Sequence, residues 1–323
     1  MIQLTQEYIN NFIKPNFYLL QNVTTFLLPE RKSQFDFYSS RINSAKRRLS
    51  IGSSVEKVQH LVEFEFLNIE RIFLTYLLSE ELGTYFVAMA NFPKGDVIST
   101  VLSKESYSYA HNFYQLSKYN CRDFFSRLML YPFNSELRGV FNISDDIEFT
   151  ELLNKVINLS CNYLWDKKES IRKFREQYKM VFNNYKHGMS ILYNMKSNLK
   201  INLEGGGEIV GSSDSPITLA VKIDRSSSDI IEQWRQLNGF DSIEEDVMKS
   251  FDLIYNLFYI VVKRRIDFVL TLLESHKYEP SSDSFIPYKN IKLSLRVFNV
   301  SQLTEEDVNK LKEKFGITFE DTA

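Results

Sequence analysis

Apolar residues recur at steps of three and four through most of this chain, and that spacing most constrains what it can fold into. Over 55–78, Val55, Val58, Leu61, Val62, Ile69, Ile72, Phe73 and Tyr76 form a single apolar stripe, the mark of an amphipathic helix. A second helix is predicted over 104–130, stopped by Pro132, and a third, shorter one over 146–159. The fourth, over 163–187, carries Ile171, Phe174, Tyr178, Val181, Phe182 and Tyr185 on one side. The fifth, over 243–275, does the same with Val247, Phe251, Ile254, Phe258, Val261 and Leu272. Together they predict a mainly α protein, a bundle of about five long helices with antiparallel neighbours.

The period changes between the fourth and fifth helices. Leu199, Ile201 and Leu203 alternate with polar residues, as do Ile217, Leu219, Val221 and Ile223, with Gly205, Gly206 and Gly207 between the two runs. A third alternating run, Ile291, Leu293, Leu295 and Val297, follows a polar linker at 280–284. The three runs predict a small antiparallel β-sheet inserted beside the bundle. A short C-terminal helix is expected to start at Thr304, with Asp307 completing a capping box, and to end at Gly316. The resulting organisation is a basic helical segment at 1–50, the bundle at 51–195 and 225–278, the sheet at 196–224 with 285–300, and the final helix at 301–323.

Composition narrows the class. The 323 residues are 44% hydrophobic and include 26 Phe and 18 Tyr against 11 Gly and 7 Pro, which suits a full core and excludes a disordered or low-complexity chain. Cys121 and Cys161 are too few for a disulfide framework or a cysteine zinc site. Residues 1–11 lack the basic and apolar regions of a secretion signal. The most apolar run, at 253–262, is interrupted by Asn256, followed by Lys263, Arg264 and Arg265, and far short of the ~20 residues a membrane span needs. The expectation is a soluble, cytoplasmic protein with no membrane partner.

A net charge of −2 argues against sequence-independent coating of nucleic acid but leaves room for a local basic patch. Two stretches supply one. The first holds Arg31, Lys32, Arg41, Lys46, Arg47 and Arg48 against Asp36, and the second holds Lys167, Lys168, Arg172, Lys173, Arg175, Lys179 and Lys186 against Asp166, Glu169 and Glu176. An acidic stretch, Asp241, Glu244, Glu245, Asp246 and Asp252, balances them. These are either solvated helix faces or a phosphate-facing groove with aromatic residues placed for base stacking.

Most catalytic signatures are missing. The chain has no P-loop, no H-E-x-x-H and no G-x-S-x-G, and Val210 spoils a dinucleotide fingerprint over 205–210. His60, His111, His187 and His276 are not paired at helical ligand spacing, and acidic residues such as Glu63, Glu65 and Glu70 are too common to single out a Mg²⁺ site. No metal or cofactor is expected.

One motif remains, Phe182-Asn183-Asn184-Tyr185-Lys186-His187-Gly188, at the end of the fourth helix. Asn183 and His187 are four apart and share a helix face, with Lys186 alongside. Such a group can act on a phosphodiester without metal: the imidazole moves a proton, the lysine stabilises phosphoryl charge and the amide positions the nucleotide. The same residues also read as ordinary C-terminal capping, with cations in the last turn and glycine after it.

A long helix ending in this motif, then a β insertion and another long helix, resembles the HEPN superfamily of helical bundles found in toxins, abortive-infection proteins and phage-defence systems. The resemblance implies a metal-independent ribonuclease that works as a dimer, with His187 as the motif histidine and Asn183 as the polar residue of its motif. The family's arginine would fall at Phe182, Val181 or Met180, none of them basic; Lys179 lies one step further and Arg175 a turn beyond. Two functions are therefore open. One is an RNA-cutting protein of a bacterial or phage conflict system with His187, Lys186 and Asn183 as catalytic residues, and Lys167, Lys168, Arg172, Lys173, Arg175, Lys179 and Tyr185 binding the nucleic acid. The other is a non-enzymatic helical subunit that binds RNA or a protein partner through the basic face.

Overall fold

The computed structural model describes residues 9–49, 51, 53–91, 97–103, 106–131, 147–186, 240–278 and 303–315, together with six pieces of two or three residues between 191 and 231. The protein is mainly helical. Its helices among the described residues are α1 (Lys14–Asn22), α2 (Leu28–Leu49), α3 (Ser54–Asn91), α4 (Val97–Val101), α5 (Ser106–Tyr114), α6 (Cys121–Met129), α7 (Ile147–Lys186), α8 (Phe240–Tyr278) and α9 (Glu305–Phe315). The chain clusters into two compact units, unit 1 (Met1–Leu27, Glu80–Ser170 and Asn256–Ala323) and unit 2 (Leu28–Ser79 and Ile171–Tyr255).

The three long helices obey their apolar stripes. Ile171, Phe174, Tyr178, Val181 and Phe182 of α7 are buried, as are Val247, Phe251, Ile254, Phe258 and Val261 of α8 and Ile69, Ile72 and Tyr76 of α3. The side chains of Val55, Val58, Leu61, Val62, Tyr185 and Leu272 lie outside the described residues. The helices are longer than their stripes predict. The expected segments at 146–159 and 163–187 are one helix, because Ser160 and Cys161 at the supposed break are small, buried and compatible with a continuous core face.

The expected helix at 104–130 is instead α5 and α6, separated by Gln115–Ser117 and a 3₁₀ turn at Lys118–Asn120. No glycine or proline marks the break. A tertiary bond replaces the helical one there: Lys168 of α7 is buried and donates from Nζ to the Leu116 carbonyl at 2.9 Å.

Proline shapes the N-terminal run. Two π turns, Ile9–Ile13 and Val23–Leu27, each end two residues before a proline, Pro15 and Pro29. Proline has no N–H, and its ring crowds the carbonyl four residues back, here Asn11 and Thr25, so the helix widens at that point. Thr24 and Thr25 add hydroxyl bonds to the Gln21 carbonyl, both at 3.0 Å.

In unit 1, α3 and α5 approach closely over Gly83. A Cβ there would stand 3.0 Å from Ala110 Cα and 3.2 Å from Tyr114 Cε2. Gly83→Ala gains about 1 kcal/mol of helix propensity, but forcing the helices apart costs about 1–3 kcal/mol. A net loss of about 1 kcal/mol is expected in chemical denaturation, and a net gain shows that the helices have room to part. Phe86, Phe113, Phe125 and Phe258 are buried in the same unit and meet edge-on or tilted. The C-terminal helix starts as its sequence predicts: Asp307 N donates to Thr304 Oγ1 at 3.1 Å and Thr304 N to Asp307 Oδ2 at 3.4 Å. Lys155 Nζ reaches the same carboxylate at 2.7 Å, and these bonds hold it below the usual carboxylate range.

The small β-sheet is not supported. The pieces between α7 and α8 pair only as three separate antiparallel ladders, Ile191–Tyr193 with Thr218–Ala220, Lys200–Asn202 with Glu208–Val210, and Lys222–Ile223 with Ile230–Ile231. An isolated pair of strands this short has no sheet face to bury. The predicted run at 291–297 lies outside the described residues.

No helix among the described residues is long and apolar enough to cross a membrane.

Candidate functional site

The end of α7 is held by aromatic packing in unit 2. Phe182 is buried, with its ring stacked on Tyr76 at 4.0 Å and on Phe73 at 5.1 Å. Arg175 lies over the Tyr76 ring at 4.3 Å and donates to Ser79 Oγ at 2.7 Å. One turn on, the Tyr178 hydroxyl donates to Asp246 Oδ2 at 3.1 Å, and burial with that carboxylate nearby pushes the phenol well above its ordinary value.

Beside that packing, the same turns also present side chains to water. Lys179, Asn183 and Lys186 are exposed and fall at i, i+4 and i+7, hence along one face. Seven residues at helical rise put Lys179 and Lys186 about 10 Å apart along the axis. Lys186 is the last residue of α7, and its Nζ lies 5.6 Å from the Phe182 ring centroid. His187 and Gly188 lie outside the described residues. Asn183 and Lys186 thus come together on one exposed face, and His187 is the next residue in the chain.

The remaining cations of the second basic stretch divide into three kinds. Lys168 and Arg175 are buried and engaged inside the protein, Lys168 with the Leu116 carbonyl, Glu169 at 2.8 Å and the Trp165 ring at 3.8 Å. Arg172 is paired with Glu176 one turn along, and Lys167 lies over the Tyr163 ring at 4.9 Å. Lys173 and Lys179 are exposed and show no carboxylate partner among the described residues. The surface that a phosphate backbone could meet is therefore narrower than the run of seven basic residues implies.

Much of the first basic stretch is paired within unit 2, partly with acids of the stretch that balances it in the sequence and partly with Glu63. Lys32 meets Asp36 at 3.1 Å and Asp252 at 3.7 Å, and Lys46 pairs with Glu244. Arg41 bonds Glu63, and Arg48 and His60 stand 3.8 and 3.7 Å from the same carboxylate. The Arg41 bond, with Arg41 and Arg48 beside it, holds Glu63 below the usual carboxylate range.

Sequence reasoning gave no structural role to three arginines. Arg71 of α3 is buried in unit 2, with its guanidinium 4.7 Å from the Phe35 ring centroid. Arg264 and Arg265 of α8 are buried in unit 1, where they donate to the carbonyls of Met129, Leu128 and Arg127 at the end of α6. The only signal for any of them is a charge inside an apolar helix face.

No group of three or more His, Cys, Asp or Glu among the described residues is placed to hold a metal ion. Cys121 and Cys161 are buried free thiols, and burial pushes Cys161 up to about 11, so it is neither a ready nucleophile nor a ready ligand. Comparison with protein-family models, characterised proteins and solved structures finds no match to this chain.

Proposed function

We propose that this chain is an RNA-directed, HEPN-like protein of a bacterial or phage conflict system, and that it contacts RNA at the end of α7. The observation that carries the reading is the exposed line of Lys179, Asn183 and Lys186, set over a buried aromatic anchor and followed at once by His187. The two lysines can each meet a phosphate of one strand, the amide can hold a base or ribose edge, and an imidazole is the side-chain type suited to moving a proton in a metal-independent phosphodiester cleavage.

The experiment is cleavage of labelled total RNA in EDTA, wild type beside His187→Ala. The expected result is cleavage by wild type and a loss of about 10²-fold or more in the variant, with an unchanged melting temperature. Equal cleavage by both proteins removes His187 from the chemistry.

One observation favours a second reading, RNA or protein binding without cleavage. Arg175, the nearest preceding arginine in the sequence, is buried against Tyr76 and bonded to Ser79, so it does not supply a clamp for phosphoryl charge on the exposed face. On this reading charge reversal at Lys173, Lys179 and Lys186 abolishes binding while His187→Ala leaves it intact.

A further inference from the structure

Arg71 is a poorly satisfied buried charge in unit 2. It is fully buried on α3, and among the described residues none of its three guanidinium nitrogens has a hydrogen-bond partner. It lies over Phe35, which is stacked on Phe251 of α8 at 3.9 Å. The nearest carboxylate oxygen is Glu244 Oε1, 3.8 Å from Arg71 Nη1 and outside hydrogen-bond range.

The other oxygen of that carboxylate, Oε2, accepts from Lys46 in the last turn of α2. One carboxylate therefore stands between two cations whose surroundings differ sharply. The Lys46 side chain is 37% exposed and the Arg71 side chain 1%. An ion pair gains little at the surface, where water competes, and most in the interior, where nothing replaces a missing partner. Glu244 nonetheless bonds the exposed cation and stands off the buried one. Desolvation holds the Arg71 guanidinium below its ordinary value, with Glu244 and Asp252 opposing that shift.

We propose that Glu244 is a two-position carboxylate: Lys46 holds it off the buried Arg71, and RNA phosphates that engage Lys46 release it to close on Arg71. A movement of about 1 Å brings Oε1 within bonding distance of Nη1. Lys46, Arg47 and Arg48 are consecutive at the end of α2, so a polyanion drawn to that turn meets three cations of which Lys46 is the one tied to Glu244. Binding at the surface then tightens the joint between α2, α3 and α8 in unit 2. The identity of the ligand rests on the RNA reading above; the two positions of the carboxylate do not.

The test uses the full chain, thermal denaturation and three proteins: wild type, Lys46→Gln and Glu244→Gln. Without ligand, Lys46→Gln is expected to melt within about 1 °C of wild type or above it, because losing a surface pair is repaid by the buried one. Glu244→Gln is expected to melt about 5 °C or more lower, because it removes the counter-charge closest to Arg71. With poly(U) at concentrations shown by anisotropy to saturate each protein, wild type gains more in melting temperature than Lys46→Gln. A Lys46→Gln protein that falls as far as Glu244→Gln overturns the two-position carboxylate. Equal gains with poly(U) overturn its link to the ligand. Absence of any poly(U) binding defeats the RNA reading and that link together, while the ligand-free comparison still decides the carboxylate.

Discussion

Arg265→Ala is expected to lower the stability of the chain by about 3–5 kcal/mol, the largest effect of any single polar substitution considered. The argument is an accounting of carbonyls. A helix leaves its last four C=O groups without intrahelical partners, and those of α6 are Ser126, Arg127, Leu128 and Met129. Tyr131 N–H bonds the Ser126 carbonyl at 2.8 Å and Leu130 N–H bonds Arg127 at 3.2 Å, a Schellman pattern with Leu130 in the left-handed region at φ 56°. Arg265 Nε bonds the Leu128 carbonyl at 3.0 Å, its Nη2 also reaches Arg127, and Arg264 Nε bonds Met129. All four carbonyls are thereby met.

Removing Arg265 leaves the Leu128 carbonyl buried without that bond, at about 1–3 kcal/mol, and empties the space of a long side chain that is 0% exposed. Burial and the adjacent Arg264 push the Arg265 guanidinium down to about 9, so it is still charged at neutral pH and meets the negative end of the α6 dipole. Two further substitutions separate shape from bonding. Arg265→Met keeps most of the volume and is expected to recover less than half of the loss, while Arg265→Lys keeps the charge but cannot reach two carbonyls with a planar fork. Urea denaturation of the three variants measures this. A methionine variant as stable as wild type would falsify the capping account and make Arg265 a packing residue only.

The parts of this architecture legible in the sequence are those where one helix face is continuously apolar. The stripes of α7 and α8 are visible because every third or fourth residue from Ile171 to Phe182 and from Val247 to Val261 enters the core. The break between α5 and α6 is invisible because it depends on Lys168, 52 residues away, reaching the Leu116 carbonyl. The continuity of α7 through Ser160 and Cys161 was hidden for the opposite reason, since small polar-looking residues can face a core without interrupting it. A local window also misjudges charge. Lys46 and Glu244 belong to stretches that read as opposite surface patches, yet they pair across 198 residues of sequence. The helix that runs to Lys186 was legible from its apolar stripe, and the aromatic anchor near its end was legible only as core, because stacking on Phe73 and Tyr76 of α3 has no local signature.

That anchor supports the second large prediction. Phe182→Ala is expected to cost about 3–5 kcal/mol, the range for emptying the site of a fully packed aromatic ring, and the damage is local to the segment that carries the candidate site. Phe182 is 2% exposed and lies one residue before Asn183 and four before Lys186, whose ammonium sits over the same ring. Without the ring this position of α7 loses its stacking on Phe73 and Tyr76. A helix end that loses buried packing frays more readily, because its final carbonyls and its propensity alone hold it weakly. Amides at 183–186 should then exchange faster by more than the global loss of stability explains, measured by hydrogen exchange under native conditions. RNA binding at the face of Lys179, Asn183 and Lys186 should weaken with them, since those side chains keep their common face only while the turn is helical. Phe182→Leu fills most of the volume, is expected to cost about 1.5 kcal/mol or less, and should keep both the protection and the binding. If Phe182→Ala unfolds the protein as a whole with no excess exchange at 183–186, the ring supports the core of unit 2 in general and not the terminus that bears the motif.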